Sequence, residues 1–502
     1  MHTQRFSFGR RDFLKRAGTG IAAGAAWCAV PRVRSAPAAN GGRPNVLFII
    51  FDDLNDWVGC LGGHPDVKTP NVDRLAQRGV LFTNAHACAT VCGPSRIALL
   101  TGVRPSTSGI WSNNQDMRES PVLKNAVTLP QYFRKHGYTS VMYGKVFDLV
   151  DPDPPSWDAY WPRKNRWRKG RVARQAKRMQ EKWDWYMNWS EPPRVTPDQK
   201  LHMGGPADKS VDQTRDGATA KRAVEFLQQE HEKPFFLAVG ITKPHAGWSV
   251  PKAFHDMYPP ESVHLPPERE HDLADVPDAH QQLGYVDGYD RLVHKRGVAR
   301  RGVSSYLACV SFADAMAGRV LDALANSPYA DNTLIVLCSD QGHHIGTKRR
   351  WSKASLWEES TRIPLILAGP ALPRGLRVGA PVDLVNVYPT VARLGKLPPV
   401  GGSEGHDMTS LIRDPARKWG YAALTTQLGK HHAVRTEQWR YIRYADGAEE
   451  LYDHKNDPNE WFNLAEAPGY EQIKKELAAH MPAGDAPVVP FAMPPHELLD
   501  EN

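Results

Sequence analysis

The chain has 502 residues, which is enough for one large domain and a smaller one. Its formal net charge of +8 does not indicate a nucleic-acid partner, because the first 38 residues carry seven Lys or Arg against one Asp and the remainder is nearly neutral. Six cysteines in a chain of this length do not form the disulfide framework of a small secreted domain.

Residues 1–38 have the pattern of an export signal. A basic start precedes an apolar, Ala- and Gly-rich stretch at residues 17–30, and residues 10–15 resemble the twin-arginine export motif. An uncleaved anchor is the alternative, but Arg32 and Arg34 interrupt the apolar run before it could span a bilayer. We therefore expect recognition by export machinery, and a periplasmic or extracellular mature protein without a stable membrane span.

Strand-like and helical patterns alternate over residues 44–398. The apolar runs with strand character are residues 46–51, 235–241, 333–337 and 363–367. The helical patterns between them include residues 70–79, 129–137, 214–229 and 306–325. This alternation predicts an α/β fold with a mostly parallel central sheet flanked by helices.

The pattern changes after residue 398. Three short runs with turn signals between them lie at residues 432–436, 440–444 and 449–452, and a helical pattern follows at residues 470–480. They predict a smaller C-terminal α+β subdomain with a short antiparallel sheet, over residues 399–502.

The most informative stretch is Cys92-Gly-Pro-Ser-Arg96. A cysteine phosphatase loop needs a longer spacing between its thiolate and its arginine. A zinc site through His86, Cys88 and Cys92 is also a poor match, because no second ligand pair follows at finger or ribbon spacing. The stretch resembles instead the Cys-x-Pro-x-Arg sequence of type I sulfatases, in which a maturation enzyme oxidises the cysteine to formylglycine.

The resemblance extends from about residue 44 to about residue 464 and is greatest for the iduronate sulfatase-like branch. The stretches that carry it are residues 69–76, 82–85, 98–105, 144–147, 243–245, 339–342 and 351–353. It implies an alkaline phosphatase-like fold, with residues 44–398 as the catalytic domain. It also implies hydrolysis of a sulfate ester, on a sulfated small molecule or glycan, to alcohol and inorganic sulfate.

The resemblance implies a metal site, with calcium favoured over magnesium. Carboxylate and amide oxygens suit such hard cations better than zinc or copper. The metal would bind the nucleophile and a sulfate oxygen together. The implied ligands are Asp52, Asp53, Cys92 after its oxidation, Asp340 and Gln341.

The resemblance also implies catalytic and substrate-binding residues. The implied catalytic residues are Cys92, Arg96, Lys145, His245 and Lys353. Of these, Arg96 and Lys145 match residues that hold the formylglycine hydrate, whose one hydroxyl attacks sulfur while the second later allows sulfate to leave. The residues implied to grip the sulfate and protonate the leaving alcohol are Lys243, His245 and Lys353. Asp340 is the candidate base.

Two positions depart from the family pattern. Gln341 stands where relatives have His or Asn, and its longer side chain must bend to coordinate a metal. Asp148 stands where the iduronate sulfatase-like branch has His. His245 or the adjacent His343 and His344 are candidates to replace that histidine, although the pair is equally consistent with ordinary loop residues.

Residues 163–182 carry ten Lys or Arg against one Glu, with tryptophans among and around them. A solvated surface helix is the simpler interpretation, and a platform for a polyanionic sugar is the alternative.

The sequence leaves two rival functions open. The same catalyst could cleave phosphate or phosphonate esters, or a catalytically silent protein could bind sulfated glycans through this basic stretch.

Overall fold

A computed structural model describes residues 42–113, 115–148, 152–162, 203–277 and 286–490. The predicted export signal and the basic stretch at residues 163–182 lie outside the described residues. Across the described ranges, we find no helix with the length and apolar character that crossing a membrane requires. The five cysteines in these ranges are all free.

The strands of the described residues fall into three sheets. In chain order they are β1 (Asn45–Asp52), β2 (Val80–Phe82), β3 (Ala85–His86), β4 (Thr139–Gly144), β5 (Ala159–Trp161), β6 (Phe235–Pro244), β7 (Thr333–Ser339), β8 (Leu365–Ala368), β9 (Leu376–Val378), β10 (Val382–Asp383), β11 (Ala423–Gln427), β12 (His431–Arg435), β13 (Trp439–Arg443) and β14 (Glu449–Asp453). The main sheet has eight strands in the order β5-β4-β6-β1-β7-β8-β2-β9. All its pairings are parallel except those of β8 with β7 and β2.

Helices cover both faces of this sheet. In chain order they are α1 (Pro70–Arg78), α2 (Cys92–Thr101), α3 (Pro105–Ser108), α4 (Leu129–Lys135), α5 (Arg215–Leu227), α6 (Lys252–His255), α7 (Val286–Lys295), α8 (Ala299–Ala325), α9 (Glu358–Thr361), α10 (Val387–Leu394), α11 (Thr409–Arg413) and α12 (Glu471–Ala478). Apolar residues of α2, α4 and α10 pack in one cluster, and those of α1, α5 and α8 pack in a second.

The central strand β1 explains why both faces are covered. Its side chains alternate between the two apolar clusters: Val46, Phe48 and Ile50 belong to the first, and Leu47, Ile49 and Phe51 belong to the second. Such a strand is buried on both sides and has a continuously apolar sequence. The predicted α/β fold with a mostly parallel sheet is confirmed.

A separate four-stranded antiparallel sheet follows in the chain, in the order β11-β12-β13-β14, with α12 packed beside it. The predicted C-terminal sheet and final helix are therefore present. The first strand, β11, was not expected from the sequence. Both sheets belong to the same compact unit, so the subdomain boundary at residue 398 stays a prediction.

Candidate active site

Two neighbouring parallel strands deliver four polar side chains to one edge of the main sheet. Asp52 ends β1 and Asp53 follows it, while Asp340 and Gln341 follow β7. The register pairs Phe51 with Ser339, so both strands end at the same level. The backbone N–H of Asp53, which has a left-handed φ of 65°, donates to Asp340 Oδ1 at 3.1 Å. The edge at the carboxyl ends of the strands, where open α/β sheets bind ligands, therefore carries a buried carboxylate cluster.

Cys92 is the first residue of α2, and its side chain is 0% exposed beside this cluster. Its thiol donates to Asp52 Oδ1 at 3.3 Å. Lys353 Nζ donates to Cys92 Sγ at 3.0 Å, and Gln341 Nε2 donates to it at 3.2 Å. Burial, and then the Asp52 charge, raise the pKa of the Cys92 thiol well above its ordinary value. The side chain is therefore a neutral thiol enclosed by acids and cations.

Arg96 lies one turn further along α2 and connects the strand ends. Its Nε donates to Asp340 Oδ2 at 2.7 Å, and its Nη2 lies 3.6 Å from Asp52 Oδ1. The remaining N–H groups reach backbone carbonyls, including that of Phe51 at 3.2 Å and that of Lys145. Burial acts to lower the pKa of Arg96, but Asp340 and Asp52 outweigh it and raise the pKa above its ordinary value. Arg96 is thus a permanent cation within the cluster.

Lys145 directly follows β4 and pairs with two acids. Its Nζ donates to Asp52 Oδ2 at 2.6 Å and lies 3.2 Å from Asp148 Oδ1. Burial acts to lower the pKa of Lys145, but Asp148 and Asp52 raise it above its usual range. The residue that replaces the family histidine is therefore a charge partner of Lys145.

His245 and Lys353 stand at the more open side of the cluster. His245 Nδ1 lies 2.7 Å from Asp53 Oδ2, and Lys353 Nζ donates to Asp53 Oδ1 at 2.7 Å. Their side chains are 36% and 21% exposed, whereas Asp53 is buried. Lys243 takes another direction, since its Nζ donates to the backbone carbonyls of His245 at 3.2 Å and Gly247 at 2.6 Å. Its predicted grip on sulfate stays a prediction.

The pKa values of the three carboxylates are shifted in different directions. Burial acts to raise the pKa of Asp52, but Lys145 and His245 outweigh it and hold that pKa below the usual range. Burial acts in the same way on Asp53, where Lys353 and His245 outweigh it and lower the pKa. For Asp340, burial prevails over Arg96 and raises the pKa to about 6. At neutral pH, Asp52 and Asp53 are therefore firmly anionic.

Gln341 supplies a test of whether a metal fits here. Its Nε2 donates to Asp53 Oδ1 and to the thiol, while its buried Oε1 has no hydrogen-bond partner among the residues that the structure describes. Since amide oxygen and nitrogen are assigned by their partners, a cation at this point favours the flipped amide, with Oε1 facing Asp53. Asp52, Asp53, Cys92 and His245 each offer an atom within 4.8 Å of one another. The carboxylate oxygens of Asp52 and Asp53, joined by Gln341 Oε1 in the flipped amide, fit a hard cation, whereas Cys92 Sγ and the His245 ring nitrogen in their present form do not.

The adjacent candidates His343 and His344 follow Gln341 and are both buried. His343 Nδ1 pairs with the carbonyl of His344 at 2.8 Å, and His344 Nε2 lies 2.7 Å from Ser355 Oγ. A replacement of the missing family histidine by either ring stays a prediction. His86, which the zinc alternative used, lies 2.7 Å from Asn84 Oδ1 through its Nε2.

Several supporting residues gave no sequence signal. Tyr306, on α8, donates its hydroxyl to the backbone carbonyl of Asp53 at 2.8 Å. Ser95 Oγ donates to the backbone carbonyl of Asp340 at 2.5 Å. Asn113 Oδ1 accepts from the backbone N–H of Gly93 at 2.7 Å and so satisfies a free donor in the first turn of α2. Spacing along the chain could not predict these long-range contacts.

Comparisons with known proteins identify the family. The family model described as Sulfatase matches residues 44–397, and a model described as N-sulphoglucosamine sulphohydrolase, C-terminal, matches residues 346–485. A protein named sulfatase from Formosa agariphila is 36% identical over 470 residues, covering 88% of this chain and 87% of that protein. Human iduronate 2-sulfatase is 32% identical over 357 residues, covering 65% of this chain and 60% of that protein.

A solved structure supports the fold independently. The phosphonate monoester hydrolase of Agrobacterium radiobacter has a TM-score of 0.68 with this chain at 22% identity, covering 87% of this chain and 94% of that chain. At this identity the likeness concerns the fold alone. The matched family model spans most of the chain and includes every acid and cation described above. The chain therefore belongs to the sulfatase family, and it is a sulfuric ester hydrolase with an alkaline phosphatase-like fold.

Proposed function

We propose that this enzyme hydrolyses the sulfate ester of a sulfated carbohydrate, with Cys92 converted to formylglycine and Ca²⁺ held by Asp52, Asp53, Asp340 and Gln341. The observation that carries the proposal is the position of Cys92 Sγ, 3.3 Å from Asp52 Oδ1 and 3.0 Å from Lys353 Nζ. A residue at this point has both an acidic cage for a cation and an ammonium group beside it.

The chemistry requires cations, because a sulfate ester surrounds its sulfur with electron-rich oxygens that repel an oxygen nucleophile. The hydrate of formylglycine would supply that nucleophile, and a bound divalent cation would supply Lewis-acid polarisation and a template. Arg96 pairs with Asp340 and Lys145 pairs with Asp52, so the two cations compensate the charge of these buried carboxylates.

The open side of the site suits the sulfate and the leaving alcohol. Lys353 lies between Cys92 and Asp53 and has donors for sulfate oxygens. His245, 3.4 Å from Lys353 Nζ, has a second ring nitrogen that can donate a proton to the leaving oxygen. Asp340, which follows β7 in the same cluster, is the proposed acceptor of a proton from the nucleophile.

Carbohydrate as the substrate rests on relatives. The name of human iduronate 2-sulfatase specifies a sulfated uronic acid, and 65% of this chain matches that protein. The proposal includes a formylglycine-generating enzyme as a maturation partner. It also includes export through the twin-arginine pathway to the periplasm or beyond, on the evidence of residues 1–38.

The test compares Cys92→Ala with Cys88→Ala, because Cys88 is also a fully buried cysteine, four residues earlier. In the native host, the wild-type peptide that contains Cys92 is expected to show in its mass spectrum an aldehyde oxygen in place of sulfur. The wild type and C88A are expected to hydrolyse 4-nitrophenyl sulfate, and C92A is expected to fall to background. Full activity of C92A, or of wild type with an unmodified thiol, contradicts the proposal.

Phosphate or phosphonate ester hydrolysis is the second candidate, because the same catalyst could attack the phosphorus of such an ester. Turnover of 4-nitrophenyl sulfate, 4-nitrophenyl phosphate and a 4-nitrophenyl phosphonate monoester by one preparation separates the two. Higher kcat/KM for the sulfate supports the first candidate. Higher kcat/KM for either phosphorus ester favours the second.

A further inference from the structure

Strand β11 lies at the edge of the four-stranded sheet, and it contacts the segment that leads to Cys92. Thr425 Oγ1 donates to the backbone carbonyl of Ala87 at 2.6 Å. The backbone N–H of Thr426 donates to the carbonyl of Cys88 at 2.9 Å. The C-terminal sheet therefore supports one side of the catalytic centre through its edge strand.

Gln427 is the last residue of β11 and contacts the opposite side of the same centre. Its side chain is buried, and the residue is 2% exposed. Its Nε2 donates to the backbone carbonyl of Ala354, the residue after Lys353. Its Oε1 is also buried and accepts no hydrogen bond from the described parts of the chain. The Gln427 amide therefore makes its hydrogen bond to the Ala354 carbonyl while its own buried oxygen stays without a donor, which costs free energy.

The backbone at Ala354 needs such a restraint. Ala354 has a φ of 68°, in the left-handed region that non-glycine residues rarely adopt. This conformation directs the preceding residue, Lys353, toward Asp53 Oδ1 and Cys92 Sγ, at 2.7 Å and 3.0 Å from its Nζ. A relaxed backbone at Ala354 would move the base of a long, flexible side chain and broaden the positions of its ammonium group.

We propose that Gln427 is a positioning residue of the hydrolase, which holds the Lys353–Ala354 backbone so that the Lys353 ammonium lies beside residue 92. The inference rests on the proposed function, because it assigns Lys353 to the sulfate. Under this proposal the C-terminal sheet contributes to the active site through one side-chain hydrogen bond, from Gln427 to the Ala354 carbonyl.

The test is a double-mutant cycle with Gln427→Met and Lys353→Met. Methionine keeps the length of glutamine and removes its donor. Gln438→Met is the control for the loss of a glutamine donor, because Gln438, in the turn before β13, donates from Nε2 to Asp453 Oδ1 at 3.0 Å. Gln427→Asn, which shortens the amide, takes the place of Q427M if that variant does not fold, as judged by thermal unfolding.

In the wild-type background, Q427M is expected to lower kcat/KM for 4-nitrophenyl sulfate about fivefold to tenfold, the effect of one hydrogen bond. In the K353M background the same change is expected to have no further effect, because the group that Gln427 positions is gone. Q438M is expected to leave kcat/KM unchanged in both backgrounds. Where K353M turnover is below background, the affinity for inorganic sulfate, measured by calorimetry, gives the same comparison.

The outcomes separate the two proposals. An equal loss from Q427M in both backgrounds, or no loss in the wild type, overturns the positioning role and leaves the sulfatase activity intact. A wild-type enzyme with formylglycine that hydrolyses no aryl sulfate overturns the proposed function itself.

Discussion

Arg96 illustrates how buried charges depend on one another in this enzyme. Its guanidinium group and its partners Asp52 and Asp340 are all fully buried, so none of them has water to replace a lost partner. Removal of one member of such a group leaves uncompensated charge in a medium of low polarity. Arg96 is therefore as important to the fold as to the proposed chemistry.

Arg96→Ala is expected to lower the free energy of unfolding by about 3–5 kcal/mol, the usual cost of breaking a buried ion pair. Arg74→Ala is the control, because Arg74 pairs with Asp322 with both side chains exposed, at 47% and 57%. The control is expected to cost less than about 1 kcal/mol. Urea denaturation measures both changes in the free energy of unfolding. Equal changes would show that the buried ion pairs of Arg96 stabilise the fold no more than an exposed pair does.

Glu359 predicts a pH dependence of stability away from the catalytic residues. Burial, and then the charge of Asp56, raise the pKa of Glu359 from 4.5 to about 8. The folded protein therefore holds a proton at pH values where the unfolded chain has released it. Stability from this group is complete below pH 4.5 and is lost as the pH rises toward 8.

Glu359→Gln removes the titrating group and keeps its shape. The variant is expected to be more stable than the wild type near pH 8, with the difference shrinking as the pH falls toward 4.5. Urea denaturation across this range measures the difference, with the exposed Glu437→Gln as a control that changes little at any pH. A difference that does not vary with pH contradicts the assignment.

At the scale of elements, the end of α2 is under a tight steric constraint. Gly102 terminates the helix with a left-handed φ of 70°, and its N–H donates to the carbonyl of Ala98 at 2.8 Å. A Cβ at Gly102 would lie 2.4 Å from Ser403 Oγ. Because α2 begins with Cys92, a displacement of the C-terminus of the helix would be transmitted along it to Cys92.

Gly102→Ala is expected to cost about 2–4 kcal/mol, from the unfavourable φ together with overpacking. Gly137→Ala is the matched control, because Gly137 also has a positive φ, 88°, but a Cβ there meets no atom within 4 Å. The control is expected to cost about 1 kcal/mol from the backbone alone. Thermal unfolding compares them, and equal shifts would exclude a role for the Ser403 contact.

The elements differ in how well the sequence predicts them, for physical reasons. Strands β1 and β7 were predicted because strands buried on both faces have continuous apolar runs. Strand β11, with the sequence Ala-Leu-Thr-Thr-Gln, has no such run, because Thr425 and Gln427 use polar side chains that bind backbone carbonyls of distant segments. Helix α8 begins at Ala299, before the predicted residue 306, because its first turns carry little apolar periodicity.

The residues of the site also differ in how well the sequence predicts them. Motif spacing and resemblance identified the cluster around Cys92, including Gln341, whose side chain does reach Asp53. The direction of Lys243 could not be predicted, because it depends on backbone carbonyls exposed by a local turn. Gln427 could not be found either, since its contact with Ala354 joins distant parts of the chain.

At the scale of the whole molecule, the acidic cage is expected to couple metal binding to folding. Ca²⁺ at 100 times its dissociation constant would raise the free energy of unfolding by about 2.7 kcal/mol, because the unfolded chain has no assembled site. Thermal unfolding with Ca²⁺ and then with excess EDTA measures the shift. EDTA is also expected to abolish hydrolysis of 4-nitrophenyl sulfate, with recovery on adding Ca²⁺.

Two acids at opposite ends of β7 provide a variant and its control for this experiment. Asp340→Asn, just after the strand, is expected to lose most of the Ca²⁺-dependent shift. Asp331→Asn changes an exposed acid just before the strand and is expected to keep it. A shift of the same size in both variants would place the calcium elsewhere.

The complete enclosure of Cys92 sets an order of events for the life of the protein. In the folded protein Cys92 is buried against Lys353 and Gln341, so the proposed conversion to formylglycine would have to occur before this stretch folds. The twin-arginine pathway, which residues 1–38 predict, carries proteins that have already folded. Activation would then be decided at synthesis, and a molecule that folds unconverted would cross the membrane permanently inactive.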